Sequence, residues 1–160
     1  MKDRRPFAVA VAVTALVTLA ISAAPAQARE SAPVPDVALD ATPQHAEFPT
    51  GRSGEVIRLD YYNPGAVAKV GDSVSAAIPA GLVVEPRPSP GWECHLDDFP
   101  AVVCDTAGTL EPGAVGPSIE LFVTADQPVT GEFEFTLMGF YRDPAEPREN
   151  NHPRVSVVAT

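Results

Sequence analysis

Helix signals are what this sequence lacks first. Beyond residue 28, no stretch of about 12 residues free of Pro and Gly places apolar side chains at i, i+3, i+4 and i+7. That excludes a helical bundle and any fold built on long amphipathic helices. Positive charge is also scarce, with 11 Lys and Arg against 21 Asp and Glu, a formal net charge of −10. A general nucleic-acid binder needs a basic face to displace counterions, so that class is excluded. The same imbalance argues against docking on anionic lipid. Histidine is limited to three residues, His45, His95 and His152. None has a metal-binding spacing, and all three read as surface residues in loops. There is no G-x-S-x-G elbow; Gly51-Arg52-Ser53-Gly54 stops one residue short.

What is present begins with an export signal. Lys2, Arg4 and Arg5 precede an uncharged stretch, and Ala26-Gln27-Ala28 offers small residues for cleavage. Residues 1–28 therefore read as a secretory signal peptide. The apolar stretch is short for a membrane span, so no span is expected after cleavage. Arg4-Arg5-Pro6-Phe7 partly matches a twin-arginine signal, and an ordinary Sec signal also begins with arginines. The expected product is a secreted or cell-envelope protein, acidic and monomeric.

The 18 prolines and 11 glycines punctuate a chain of short alternating segments. Residues 29–53 read as an N-terminal extension with one strand at 34–39, followed by a loop from Gln44. From Glu55 the alternation is clear: Ile57, Leu59 and Tyr61 face one way, Arg58, Asp60 and Tyr62 the other. Residues 73–78 and 82–85 are the next strands. Pro86, Pro88 and Pro90 predict a stiff connector that cannot be a central strand. Ile119, Leu121 and Val123 share one face. So do Phe133, Phe135 and Leu137. Residues 154–159 close the chain as a β-branched strand. About nine strands at intervals of roughly 8–12 residues predict an antiparallel sandwich or barrel over residues 54–160.

Cys94 and Cys104 flank a turn-like segment containing Asp97, Asp98 and Pro100. In an exported chain two cysteines pair most simply with each other, which here would staple a hairpin. Two free buried thiols are the alternative. A zinc set would lack ligands, since only His95 is nearby.

The order of punctuation resembles a known family. Tyr62-Asn63-Pro64-Gly65 is followed by Pro79-Ala80-Gly81-Leu82, then Gly91-Trp92-Glu93-Cys94 and Val102-Val103-Cys104. Leu110-Glu111-Pro112-Gly113 comes next, and Asp143-Pro144 and Asn150-Asn151 precede the final strand. This series is similar to the immunoglobulin-like repeat domains of bacterial surface and secreted proteins known as domain of unknown function number eleven. The family often has several copies per chain, where this chain has one. The resemblance covers roughly residues 55–160. It implies an immunoglobulin-like β-sandwich with no catalytic residues, and it brings no settled function. A second similarity is to actinomycete apoproteins that bind enediyne chromophores. These are also exported, acidic, immunoglobulin-like sandwiches, but they carry a second disulfide that this chain cannot form.

Several residues could carry chemistry. Asp143, Glu146, Glu149, Asn150 and Asn151 gather oxygen ligands of the kind calcium prefers, without EF-hand spacing. The alternative is that the asparagines hydrogen-bond the loop backbone. Asp97 and Asp98 at the hairpin tip are a second acidic pair. Trp92 reads as core packing near the cysteines, with a solvent-facing sugar platform as the alternative. Phe122, Phe140 and Tyr62 fall on polar faces by alternation. Either bulges turn them inward or they form an exposed patch that marks a partner surface. The leading expectation is a non-enzymatic interaction or structural module that binds an extracellular or cell-wall component and needs no cofactor. A small-molecule-binding apoprotein is the alternative. A secreted hydrolase, or a protease inhibitor presenting residues 86–90, follows behind.

Overall fold

The computed structural model describes residues 35–51, 53–139 and 149–160. Residues 1–28, read above as a signal peptide, lie outside them, as do Phe140, Asp143 and Glu146. Eleven strands account for most of the described chain. They are β1 (Ala38–Thr42), β2 (His45–Phe48), β3 (Gly54–Tyr62), β4 (Lys69–Ala77), β5 (Leu82–Pro88), β6 (Glu93–Leu96), β7 (Ala101–Leu110), β8 (Ile119–Ala125), β9 (Val129–Glu134), β10 (Thr136–Gly139) and β11 (Arg154–Ala159).

One layer has the order β1-β3-β8-β5, antiparallel throughout. The other consists of β2-β11-β9 and β10-β4-β7-β6. Its two parts meet because β9 and β10 are one run of chain interrupted only at Phe135. Two hydrogen bonds carry the β9–β11 pairing across that break: Phe135 N–H to Pro153 O (3.0 Å) and Leu137 N–H to Asn151 O (3.0 Å). The chain is thus an all-β, immunoglobulin-like sandwich with one disulfide.

Alternation builds the interior directly. Ile57 lies opposite Leu121, Leu59 opposite Ile119 and Leu39 opposite Tyr61, and all six side chains are buried. From the facing layer Phe133, Phe135, Leu137, Val155 and Val157 join the same apolar cluster. Burial of this kind contributes on the order of 25 cal/mol per Å² of apolar surface. Tyr61 carries its polar end inward, where the hydroxyl donates to the Asp72 carboxylate. A Cβ at Gly139 would lie 2.6 Å from Lys69 Nζ, so the lysine head would have to shift.

Three features differ from expectation. First, the segment before residue 54 supplies two strands to the sandwich. β1 pairs with β3, and β2, which falls in the expected loop, pairs with β11. Second, the β2–β11 pairing is parallel, in a fold that is otherwise antiparallel. The chain passes from one layer to the other at Pro43 without reversing. Leu39 bonds Asn150, Gln44 bonds Ser156, and Phe48 bonds Thr160, so both segments advance together. Third, Pro86 and Pro88 belong to β5, opposite Leu121 and Ile119, instead of forming a free connector. They are tolerated because β5 is the outermost strand of its layer, where a missing N–H leaves no partner unpaired. A paired strand is also not the presented loop that a protease inhibitor requires.

Cys94 and Cys104 form the expected disulfide between directly opposed positions of β6 and β7. The closed loop of about 11 residues predicts a loss of about 2–3 kcal/mol in a Cys94→Ala, Cys104→Ala variant. The rest of the core is independent of the bond, so the variant should still unfold cooperatively. Urea denaturation should show a lower midpoint, with a slope equal to or slightly above the parent's because the unfolded chain is less constrained.

Candidate interaction surface

The hairpin β6–β7 is fixed at both ends. At its base is the disulfide. At its tip the Asp97 N–H donates to Ala101 O (2.9 Å), and the Asp98 N–H donates to Asp97 Oδ1 (2.8 Å). The Ile78 N–H donates to Pro100 O (2.6 Å), which ties the tip to the end of β4. On this anchored turn Phe99 is 82% exposed and Leu96 is 53% exposed. Sequence reasoning did not single out Phe99. A phenylalanine in a turn carries no alternation signal that says whether it folds back or points out.

Trp92 packs in the core. It is 5% exposed, its Nε1–H donates to Pro117 O (2.7 Å), and its ring meets Tyr61 edge-on at 5.4 Å. It is not a solvent-facing platform. Phe122 and Tyr62 are not bulged inward. Both remain on the outer face of β8 and β3, partly covered. The Arg87 guanidinium lies over Phe122 at 4.4 Å, a cation–π contact, and Val56 is opposite. Burial, then the neighbouring Asp40 carboxylate, raises the Tyr62 phenol above its ordinary pKa. The two rings are six positions apart in register, since Phe122 faces Val56, so they do not form one patch.

The calcium candidates are only partly within the described residues. The Asn150 carbonyl accepts from Leu39 N–H (3.0 Å), and its side-chain amide donates to Asp36 Oδ1 (3.1 Å). Asn151 is buried and its carbonyl bonds Leu137. Glu149 and Asn150 line a polar cleft with Asp40 and Gln44. Among the described residues no three His, Cys, Asp or Glu side chains converge to hold a metal.

Two histidines expected in loops lie on strands, His45 on β2 and His95 on β6. His45 Nδ1 is 2.7 Å from Ser156 Oγ, although the residues are 111 apart in sequence. Among the described residues no carboxylate hydrogen-bonds this histidine, and the pair sits exposed on a strand face. It lacks the orienting acid that a Ser–His nucleophile requires.

No family model matches the chain, and no curated protein matches it. Solved structures do. One is a non-cellulosomal cohesin from the archaeon Archaeoglobus fulgidus, with a TM-score of 0.49 and 15% identity, covering 78% of this chain and 91% of that one. A second is a type I cohesin–dockerin complex from Clostridium thermocellum, at 0.47 and 10%, covering 79% and 95%. A third is an uncharacterized Nocardia farcinica protein with an immunoglobulin-like fold, at 0.44 and 20%, covering 78% and 99%. At these scores and identities the likeness is one of sandwich architecture and extends to no ligand, partner or residue.

Proposed function

We propose that this chain is a secreted, non-catalytic interaction module and that the β6–β7 hairpin is its docking element. One observation carries the reading: an exposed phenylalanine, with an exposed leucine nearby, on a turn fixed by a disulfide and by a hydrogen bond to Ile78, just past β4. Single exposed apolar residues are ordinary. An aromatic on a rigid projection is different, because docking it costs little conformational entropy, and aromatic anchors dominate interface energies. The disulfide suits an oxidising, extracytoplasmic compartment.

The test is retention of the mature chain on isolated envelope of its host. Phe99→Ser should reduce saturable retention by at least about tenfold, the loss expected for removing an anchor of about 1.4 kcal/mol or more. Its melting temperature should stay close to that of the parent, since Phe99 makes little packing. Unchanged retention would contradict the reading.

A further inference from the structure

At the base of the same hairpin β7 runs on past the start of β6. β6 begins at Glu93, opposite Asp105, whereas β7 continues to Leu110. The uncovered stretch leaves an open groove of about 470 Å³ lined by Gly91, Trp92, Glu93, Asp105, Thr106, Ala107 and Gly108. Its floor is largely apolar or without side chains. Its charged groups are two carboxylates.

Those carboxylates are directly opposed across the ladder, an arrangement that destabilises a sheet. Several other cross-strand pairs combine opposite charges. Arg58 stands opposite Glu120, and Arg154 opposite Glu134. The other like pair among the described strands, Asp40 opposite Asp60, is compensated by Arg58, which bonds Asp60 at 2.8 Å. Glu93 and Asp105 form no ion pair and no side-chain hydrogen bond among the described residues. Both carboxylates therefore line the groove with no cationic side chain bonded to them among the described residues.

We propose that this groove accepts a cationic side chain, lysine or arginine, of a protein partner. The alkyl stem would lie along Gly91, Ala107 and Gly108, and the charged head would sit between Glu93 and Asp105, offsetting one of their two negative charges. The net charge of −10 adds attraction for a basic partner at long range. Assigning the cation to a partner protein rests on the hairpin being the docking element. The cation site itself rests on the groove and its uncompensated pair.

The test uses the mature chain, labelled with nitrogen-15 and titrated with acetyl-Gly-Arg-Gly-amide. The citrulline analogue, which is neutral and of the same shape, is the control. The arginine peptide should shift the Trp92 indole and the Glu93, Thr106 and Gly108 amides saturably, and the citrulline peptide should not. The double variant Glu93→Gln, Asp105→Asn should weaken binding by at least about tenfold, the effect of removing the paired charges. That variant should also melt at a higher temperature, because the repulsion is gone. A lower melting temperature would mean that the pair is structural and would overturn the proposal. Gly108→Val offers a steric block, since a Cβ there meets only Thr106 Oγ1 at 3.4 Å. Shifts spread evenly over the acidic surface, or shifts that survive in the double variant, would also overturn it. Specific arginine binding together with Phe99-independent envelope retention would uphold the cation site and reject the tip as the anchor.

Discussion

Replacing Asn63 by Asp is expected to destabilise the protein by about 3–5 kcal/mol, a fall in melting temperature of roughly 10–20 °C. Asn63 is 1% exposed and uses both ends of its amide. Its Nδ2 donates to Val67 O and Leu110 O, each at 2.9 Å, and its Oδ1 accepts from Gly65 N–H at 2.9 Å. Its backbone also bonds Ala114 (3.0 Å) and Gly113 (2.7 Å). One side chain therefore fastens the β3–β4 loop to the turn after β7. A carboxylate of the same shape keeps the acceptor but loses both donors. The Val67 and Leu110 carbonyls then lose this donor and face a negative charge. Asn63→Ala removes the same bonds without adding charge, so it should fall between Asp and the parent in thermal unfolding. An Asp variant within 1 kcal/mol of the parent, as estimated from mutational energetics, would show that the amide is not the fastening.

Phe133→Ala is the second large effect, with an expected cost of about 3–5 kcal/mol. Phe133 is fully buried and stacks on Phe135 with centroids 5.6 Å apart and planes 11° from parallel. Removing it leaves a cavity between the layers that neighbouring strands cannot close. Phe122 supplies the contrast. It faces outward and meets Arg87, so Phe122→Ala should cost only about 1 kcal/mol. Chemical denaturation of the pair tests the assignment of faces. Similar losses from both would mean that the outer face of β8 is covered in a way this structure does not show.

Much of this architecture was legible in the chain. Where alternation runs for six residues or more, as from Ile57, Ile119 and Phe133, it named the buried side chains correctly. The last strand has the bounds its β-branched residues suggest, and two cysteines flanking a turn-like segment led to the hairpin disulfide. β2 was not legible. His45-Ala46-Glu47-Phe48 is too short to show a period, and its partner is at the far end of the sequence. The extension of β5 through Pro86 and Pro88 was hidden for another reason. Proline marks a turn and an outermost strand alike, and only the sheet order separates the two.

The candidate site was less legible. Trp92 could be read as core because its apolar body and its place beside Cys94 suit packing. The contact between His45 and Ser156 and the opposition of Glu93 to Asp105 depend on register, which no local pattern states. Phe99 is exposed because the hairpin tip is tied to β4 through Pro100, a long-range hydrogen bond invisible in the sequence.

The central claim is that the β6–β7 hairpin meets the partner, and site-specific photo-crosslinking tests it most directly. A photoreactive phenylalanine analogue would be placed at position 99 in one sample and at position 122 in another. Each mature chain would be irradiated on host envelope with and without excess unlabelled parent. The account predicts a discrete adduct from position 99 that the parent competes away, and little from position 122. A competed adduct from position 122 with none from position 99 would contradict it and move the docking surface to the outer face of β3 and β8.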